Sequence, residues 1–173
     1  MILQEAILAQ HSKPQCDLIV GWIGDKQNRF DKLVKLFTGR DYTISQKAGW
    51  PFGDLVQKHP DLVRNHFPAL VKKLKEPDQH ISVKRNILRA FQFVEIPEKF
   101  QGIIMENCFS YVESQSEPPA IKAFSLTILD NLADNYPEII PELLLLLDHH
   151  TENQTPAFKA RAKMVMKKRK PKS

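Results

Sequence analysis

The sequence predicts an all-α protein in which a helix pair recurs about four times and stacks into a superhelix. Three observations indicate this fold. Apolar residues recur with the period of an α-helix, one short pattern returns every 37 or 38 residues, and prolines stand at the starts of helical segments. No run shows the strict apolar–polar alternation of a half-buried strand, so we expect no β-sheet.

Taken in chain order, the apolar periodicity predicts ten helices. In PEIIPELLLLLDHH, for example, Ile140, Leu143, Leu144 and Leu147 fall on one face of a helix. The expected bounds are 2–11, 14–23, 25–38, 42–58, 60–75, 81–94, 97–114, 119–135, 137–149 and 156–168. Proline lies at the start of several, where its missing N–H costs no helical hydrogen bond: Pro60, Pro97, Pro119, Pro137 and Pro156.

The first helix of each pair repeats after an N-terminal capping pair, which we expect over residues 2–23. RFDKLVKLF from Arg29 matches HFPALVKKL from His66, 37 residues later. The step of 40 residues between Pro97 and Pro137 predicts a small insertion in the third pair.

The second helix of each pair carries the strongest repeat. SQKAGWPF, SVKRNILR, AIKAFSLT and AFKARAKM begin at residues 45, 82, 120 and 157, which gives steps of 37, 38 and 37. Each begins with a small residue and has lysine at its third place: Lys47, Lys84, Lys122 and Lys159. Because one pair cannot bury its apolar face alone, we expect stacked pairs in one domain over 1–168, followed by a solvated basic tail, 169–173.

This unit resembles a HEAT repeat over about residues 25–168. In that family a Pro-led helix is followed by a short turn with Asp and a second helix opening with an aliphatic and a basic residue. Asp41 and Asp78 stand five residues before Gln46-Lys47 and Val83-Lys84. The resemblance implies a right-handed α-α superhelix, a HEAT/ARM-like solenoid. It also implies a structural ladder between units, formed by Lys47, Lys84, Lys122, Lys159, Asp41 and Asp78. Alternatively, the four lysines of this series form a cationic stripe that binds an acidic partner.

The resemblance also implies that the second helices line a concave face. Counting the small residue as position 1, we expect positions 4, 8 and 11 to face outward. From these positions we predict a contact surface for a protein or peptide at Phe52, Arg85, Arg89, Gln92, Thr127 and Asp130. An ordinary solvated face is an equal alternative.

The charge is unevenly distributed. Residues 153–173 hold eight of the 25 Lys and Arg and no acid, which leaves 17 basic and 20 acidic residues in 1–152, a net charge of −3. A protein that follows phosphates over its whole surface does not usually have such a body. With no signal-peptide pattern, no apolar run of about 18 residues, and two cysteines that fit buried thiols, we expect a cytoplasmic protein without membrane association.

The segment KAGWPFGDL, residues 47–55, departs from helical rules because Pro51 lies inside a predicted helix. Trp50, Phe52 and Trp22 are candidates to line a pocket near Asp54. Some HEAT-like DNA glycosylases hold an alkylated base with Trp, Asp and Arg, so the resemblance implies an alternative function in nucleic-acid binding. A core tryptophan beside a proline is the simpler interpretation.

No other motif indicates chemistry. His149 and His150 are adjacent on a helix and point about 100° apart, which disfavours a shared metal ion. The ending AFKARAKMVMKK, with SQKAGW upstream, is similar to small bacterial HEAT-like proteins that are sometimes labelled adenylosuccinate lyase. The lyase loop, roughly S-S-x-M-P-x-K-x-N-P, has no counterpart here. We therefore predict a non-enzymatic scaffold without cofactor or metal.

Overall fold

The computed structural model of the protein describes residues 1–77 and 80–171, and over these ranges it contains ten α-helices and no strand. The all-α prediction is confirmed, and each predicted helix is present. The helices are α1 (Leu3–Ala9), α2 (Lys13–Ile23), α3 (Gln27–Phe37), α4 (Tyr42–Lys58), α5 (Phe67–Leu74), α6 (Ile81–Phe91), α7 (Glu98–Glu113), α8 (Pro119–Leu132), α9 (Ile140–His150) and α10 (Pro156–Arg169).

Two helices begin later than the sequence predicts. Residues Pro60–His66 and Pro137–Ile139 are 3₁₀ turns that lead into α5 and α9. A second proline, Pro68 or Pro141, then stands in the first turn of the α-helix. Because proline has no N–H and its ring clashes with the carbonyl four residues earlier, it starts a new helix and does not continue the old one.

Side-chain caps fix several helix starts. The Ile44 N–H donates to Asp41 Oδ1 over 3.0 Å at the start of α4. Thr155 accepts from the Phe158 N–H at the start of α10. Such caps satisfy N–H groups that have no partner inside the helix. Asp41 is therefore a helix cap.

The chain divides into two compact units, Met1–Pro97 and Glu98–Ser173. In the first, α4 contacts α1, α2, α3 and α6, so that neighbours surround it. Its Phe52 ring lies 4.4 Å from the Phe37 ring and 5.9 Å from the Phe30 ring, centroid to centroid. These stacked rings form the centre of the first unit's core.

The close packing of α4 and α6 depends on two glycines of α4. A Cβ on Gly49 would lie 2.5 Å from Asn86 Nδ2, and one on Gly53 would lie 2.9 Å from Arg89 Nη1. Asn86 is held in place because Nδ2 donates to the Ser82 carbonyl over 2.8 Å. The absence of a side chain at these two positions lets α6 approach, and this brings Arg89 onto α4.

The second unit packs α7, α8, α9 and α10 around its own core. Cys108, Leu129, Leu143 and Phe158, one from each helix, have no exposed surface. The helix pairs α7–α8 and α9–α10 thus correspond to the last two predicted repeats. None of the helices in the described ranges is long and apolar enough to cross a membrane.

Candidate functional site

In the first unit, Asp54 of α4 lies at the centre of a charged cluster formed by three helices. Its Oδ1 accepts from Arg89 Nη2 of α6 over 2.7 Å, and its Oδ2 lies 3.5 Å from Lys13 Nζ of α2. The Asp54 side chain is 12% exposed and that of Arg89 is 28% exposed. A carboxylate withdrawn from water and paired with two cations holds helices in register.

Cys16 of α2 borders this cluster, with Sγ 3.7 Å from Asp54 Oδ2. Burial and the negative charge of Asp54 raise the pKa of the Cys16 thiol to about 12. In the second unit, burial raises the pKa of Cys108 to about 12 as well. Both thiols are therefore protonated near neutral pH, and neither is activated as a nucleophile.

The three aromatic residues expected to share a pocket have different neighbours. Trp50 packs edge-on against His11, with ring centroids 5.6 Å apart, whereas the Trp22 ring faces the Arg29 guanidinium at 4.3 Å. Phe52 is fully buried in the α3–α4 core. The space beside Trp50 and His11 measures about 10 Å³, which is room for a water molecule at most. No nucleobase fits there.

The prediction that Phe52 faces outward is wrong. Phe52 has no exposed surface, and neither do Ala48 and Leu55, the other two positions assigned to the outward face of this helix. Positions 4, 8 and 11 of this helix were assigned to the outward face by the same count as on the other second helices. On α4, however, α1, α2 and α3 cover the sides that periodicity left open.

On α6 the predicted contact residues have three different environments. Arg85 is exposed, and within the described part of the chain no hydrogen bond or ion pair of its guanidinium is found. Arg89 is committed to Asp54, and Gln92 donates from Nε2 to the Arg89 carbonyl over 3.1 Å. Arg85 is thus the side chain of this set that faces solvent on the first unit.

In the second unit, Thr127 and Asp130 of α8 line a groove of about 800 Å³ against α10. The α10 side of the groove consists of Arg161, Met164, Val165, Lys167 and Lys168. The Arg161 guanidinium donates to the Thr127 hydroxyl. Met164 is 67% exposed, so the groove presents a thioether to solvent among charged groups.

Arg169 ties the end of α10 to α8. Its Nε donates to Asp130 Oδ1 over 2.6 Å, and its Nη2 donates to Asp134 Oδ1 over 2.6 Å. Burial alone would lower the pKa of Arg169, but the bonds to these two carboxylates outweigh burial and raise it. The bond from Arg169 in turn lowers the pKa of Asp134. The sequence assigned Arg169 to a solvated tail, whereas its side chain is 9% exposed and belongs to the helix.

The lysine series has no shared arrangement. Lys47 donates to the Leu8 carbonyl over 3.0 Å, Lys122 is buried, and Lys159 is exposed. Lys84 is half-buried, and Asp78, its expected partner, lies outside the described residues. The ladder of these residues stays a prediction.

Other polar pairs do recur about one repeat apart, within each unit. Asp31 binds His66 and Asp54 binds Arg89, each 35 residues apart. In the second unit the same happens between Gln101 and Tyr136, Thr127 and Arg161, and Asp130 and Arg169, at separations of 35, 34 and 39. Such pairs can be found in the sequence as complementary polar side chains about one repeat apart. This separation points to Arg89 as a bonding partner more directly than it points to Lys168 and Arg169.

Metal ligands do not assemble in the described ranges, where no group of three or more His, Cys, Asp or Glu is placed to hold an ion. Asp148, adjacent to His149, instead lies 4.0 Å from Lys170 Nζ.

Comparison with protein families gives a match to the HEAT repeat domain over residues 3–169. This range includes α1 to α10 and both units. Comparison with curated proteins and with solved structures gives no match.

Proposed function

The chain belongs to the HEAT repeat family, and we propose that it is a non-enzymatic scaffold that binds a protein or peptide partner on its second helices. Helical repeats of this kind commonly mediate protein interactions. The observation that carries the proposal is the exposure of three of the predicted outward positions on two of these helices. Arg85 on α6, and Met164 and Lys167 on α10, stand at positions 4, 8 and 11 and face solvent.

The chemistry of these positions favours a protein partner. An exposed arginine and an exposed methionine are residue types enriched where proteins meet. The residues with catalytic potential have packing roles instead. Asp54 is paired with Arg89, and the Cys16 thiol has its pKa raised to about 12.

The test is affinity capture from the native host, comparing the wild-type protein with charge-reversal variants. Arg85→Glu removes a cation from the second helix α6. Arg64→Glu is the matched control, because Arg64 is 75% exposed and lies in the 3₁₀ turn of a first helix. We expect Arg85→Glu to lose a partner that wild-type protein and Arg64→Glu both retain. Identical capture by all three proteins would contradict the proposal.

Nucleic-acid binding is the second candidate, favoured by the cations of α10 and by the position of Trp50 one turn from the Asp54–Arg89 pair. It predicts binding to duplex DNA that strengthens as salt is lowered, since phosphate contacts are strongest there. Undetectable binding at low salt would remove this candidate. A release assay for an alkylated base tests the glycosylase form of the hypothesis, which the 10 Å³ space beside Trp50 disfavours.

A further inference from the structure

The groove between α8 and α10 has a chemistry of its own. Its floor contains Met164 and the buried Val165, and its rim carries three cations, Arg161, Lys167 and Lys168. Asp130 is the acid among the lining residues. Its Oδ1 accepts from Arg169 over 2.6 Å and its Oδ2 accepts from Lys168 over 3.1 Å. Lys168 and Arg169 therefore offset that acid from within the fold, and Arg161 and Lys167 are the cations that leave the groove positively charged beside its apolar floor.

The cations have a regular spacing along α10. Arg161 and Lys167 are six residues apart, which is about 9 Å along the axis. Met164 lies between them, one turn from each. A complementary segment therefore needs an apolar side chain at its centre and an acidic side chain about one turn to either side.

We propose that this groove binds an acidic amphipathic helical segment of a partner protein, with an apolar residue on Met164 and carboxylates toward Arg161 and Lys167. This proposal rests on the proposed scaffold function and names the chemistry of the partner. Methionine is unbranched and polarizable, so its thioether adapts to an apolar side chain laid against it. Cations around an apolar strip complement a helix with an apolar face and acidic flanks.

A peptide suits this groove better than a nucleic acid does. Phosphates would follow the cations but leave Met164 without an apolar contact. An acidic helix instead places its carboxylates at the cations and its apolar residue over the floor.

The experiment is a titration of the protein with a synthetic helical peptide that carries Leu at its centre and Glu one turn to each side. Binding is followed by fluorescence anisotropy, and the bound residues are identified by amide chemical shifts. A peptide with Lys in place of Glu and a short single-stranded oligonucleotide serve as alternative ligands. We expect saturable binding of the acidic peptide that weakens with salt, and shifts centred on α10 and the facing part of α8.

Variants of α10 locate the site. Lys167→Glu reverses an exposed cation of the groove, and Lys163→Glu is the matched control, because Lys163 is exposed on the same helix but does not line the groove. We expect Lys167→Glu to weaken peptide binding by about tenfold at low salt and Lys163→Glu by less than about twofold. Met164→Gln retains the cations and removes the apolar contact, and it too is expected to weaken binding. Circular dichroism confirms that each variant is folded.

Three results would overturn the proposal: no saturable binding of the acidic peptide, equal losses in Lys167→Glu and Lys163→Glu, or tighter binding of the oligonucleotide than of the peptide. The capture experiment with Arg85→Glu separates this failure from that of the scaffold function. If Arg85→Glu loses a native partner and the acidic peptide does not bind at α10, the groove proposal alone is overturned.

Discussion

At the scale of single residues, Gly49 and Gly53 determine how closely α6 lies against α4. Their role cannot be predicted from helical periodicity, because periodicity does not show which helix faces a given residue. The structure places Asn86 and Arg89 where the missing side chains would be. The glycines therefore contribute to the Asp54–Arg89 pair by letting it form.

Gly49→Ala is expected to lower the free energy of unfolding by about 1–3 kcal/mol, because its Cβ would lie 2.5 Å from Asn86 Nδ2 and force apart groups already in contact. Gly102→Ala in α7 is the matched control, since nothing lies within 4 Å of its Cβ. At position 102 alanine should raise the free energy of unfolding by about 0.5–1 kcal/mol. Urea denaturation measures both. Equal effects of the two substitutions on the free energy of unfolding would show that the packing of α4 against α6 does not depend on the absence of a side chain at Gly49.

Asp54→Asn is expected to destabilise the protein by about 1–3 kcal/mol, because Arg89 then loses its charged partner in a largely buried position. The same change should lower the pKa of the Cys16 thiol from about 12 without restoring its ordinary value, since burial is the first cause of the shift and Asp54 the second. Alkylation of Cys16 as a function of pH, followed by peptide mass spectrometry, checks this. Cys108 should keep its pH profile, and a Cys16 profile unchanged in Asp54→Asn would count against the contact.

At the scale of elements, the periodicity of apolar residues was sufficient to identify the helices, and local chemistry moved their ends. Pro68 and Pro141 stand in the first turns of α5 and α9, and the residues before them have 3₁₀ geometry. The outward face of α4 was misassigned because the sequence does not show that α1 and α2 pack beside it. Arg85 on α6 and Met164 on α10 are exposed, so the predicted outward direction holds at these two residues.

Arg169→Ala is expected to loosen the last turns of α10 and to cost about 1–3 kcal/mol, because Asp130 and Asp134 lose a shared, mostly buried guanidinium. Lys170→Ala is the control. Lys170 is 55% exposed and lies 4.0 Å from Asp148, so its removal should cost less than about 0.5 kcal/mol. Hydrogen exchange of the α10 amides distinguishes the two. Unchanged protection in Arg169→Ala would mean that Phe158 and its apolar neighbours hold the helix without this anchor.

Acid should weaken the same anchor. The bond from Arg169 lowers the pKa of Asp134 below its ordinary value of 3.8. A carboxyl with a lowered pKa contributes stability that is fully present above the ordinary value and is lost as pH falls through the folded value. The difference in unfolding free energy between the wild-type protein and Asp134→Asn should therefore shrink as pH drops below about 3.8. A difference that stays constant from pH 6 to pH 2 would contradict the role given to this pair.

At the scale of the whole molecule, the family and the repeating helix pairs were predictable, and much of the contact surface was not. Repeat length, prolines and helical periodicity are properties of one chain read in order, and the match over residues 3–169 agrees with them. The side chains that a surface presents to a partner depend on which of them already bond to neighbouring residues. Arg89, Thr127 and Asp130 were chosen for facing outward, and each is partly engaged by a residue about one repeat away.

Beside those internal contacts, Arg85 on α6 and Met164 and Lys167 on α10 are exposed. The central claim is that a protein partner contacts these second helices. It does not depend on the basic residues acting as a general phosphate-binding surface, because several are committed to Asp54, Asp130 and Asp134.

Hydrogen exchange of the protein, alone and with the partner obtained by capture, tests that claim most directly, because it reports protection helix by helix. The account predicts that the partner slows exchange in α6 and α10 and leaves α5, α7 and α9 unchanged. Protection confined to α5, α7 and α9 would place the partner on the first helices and contradict the account.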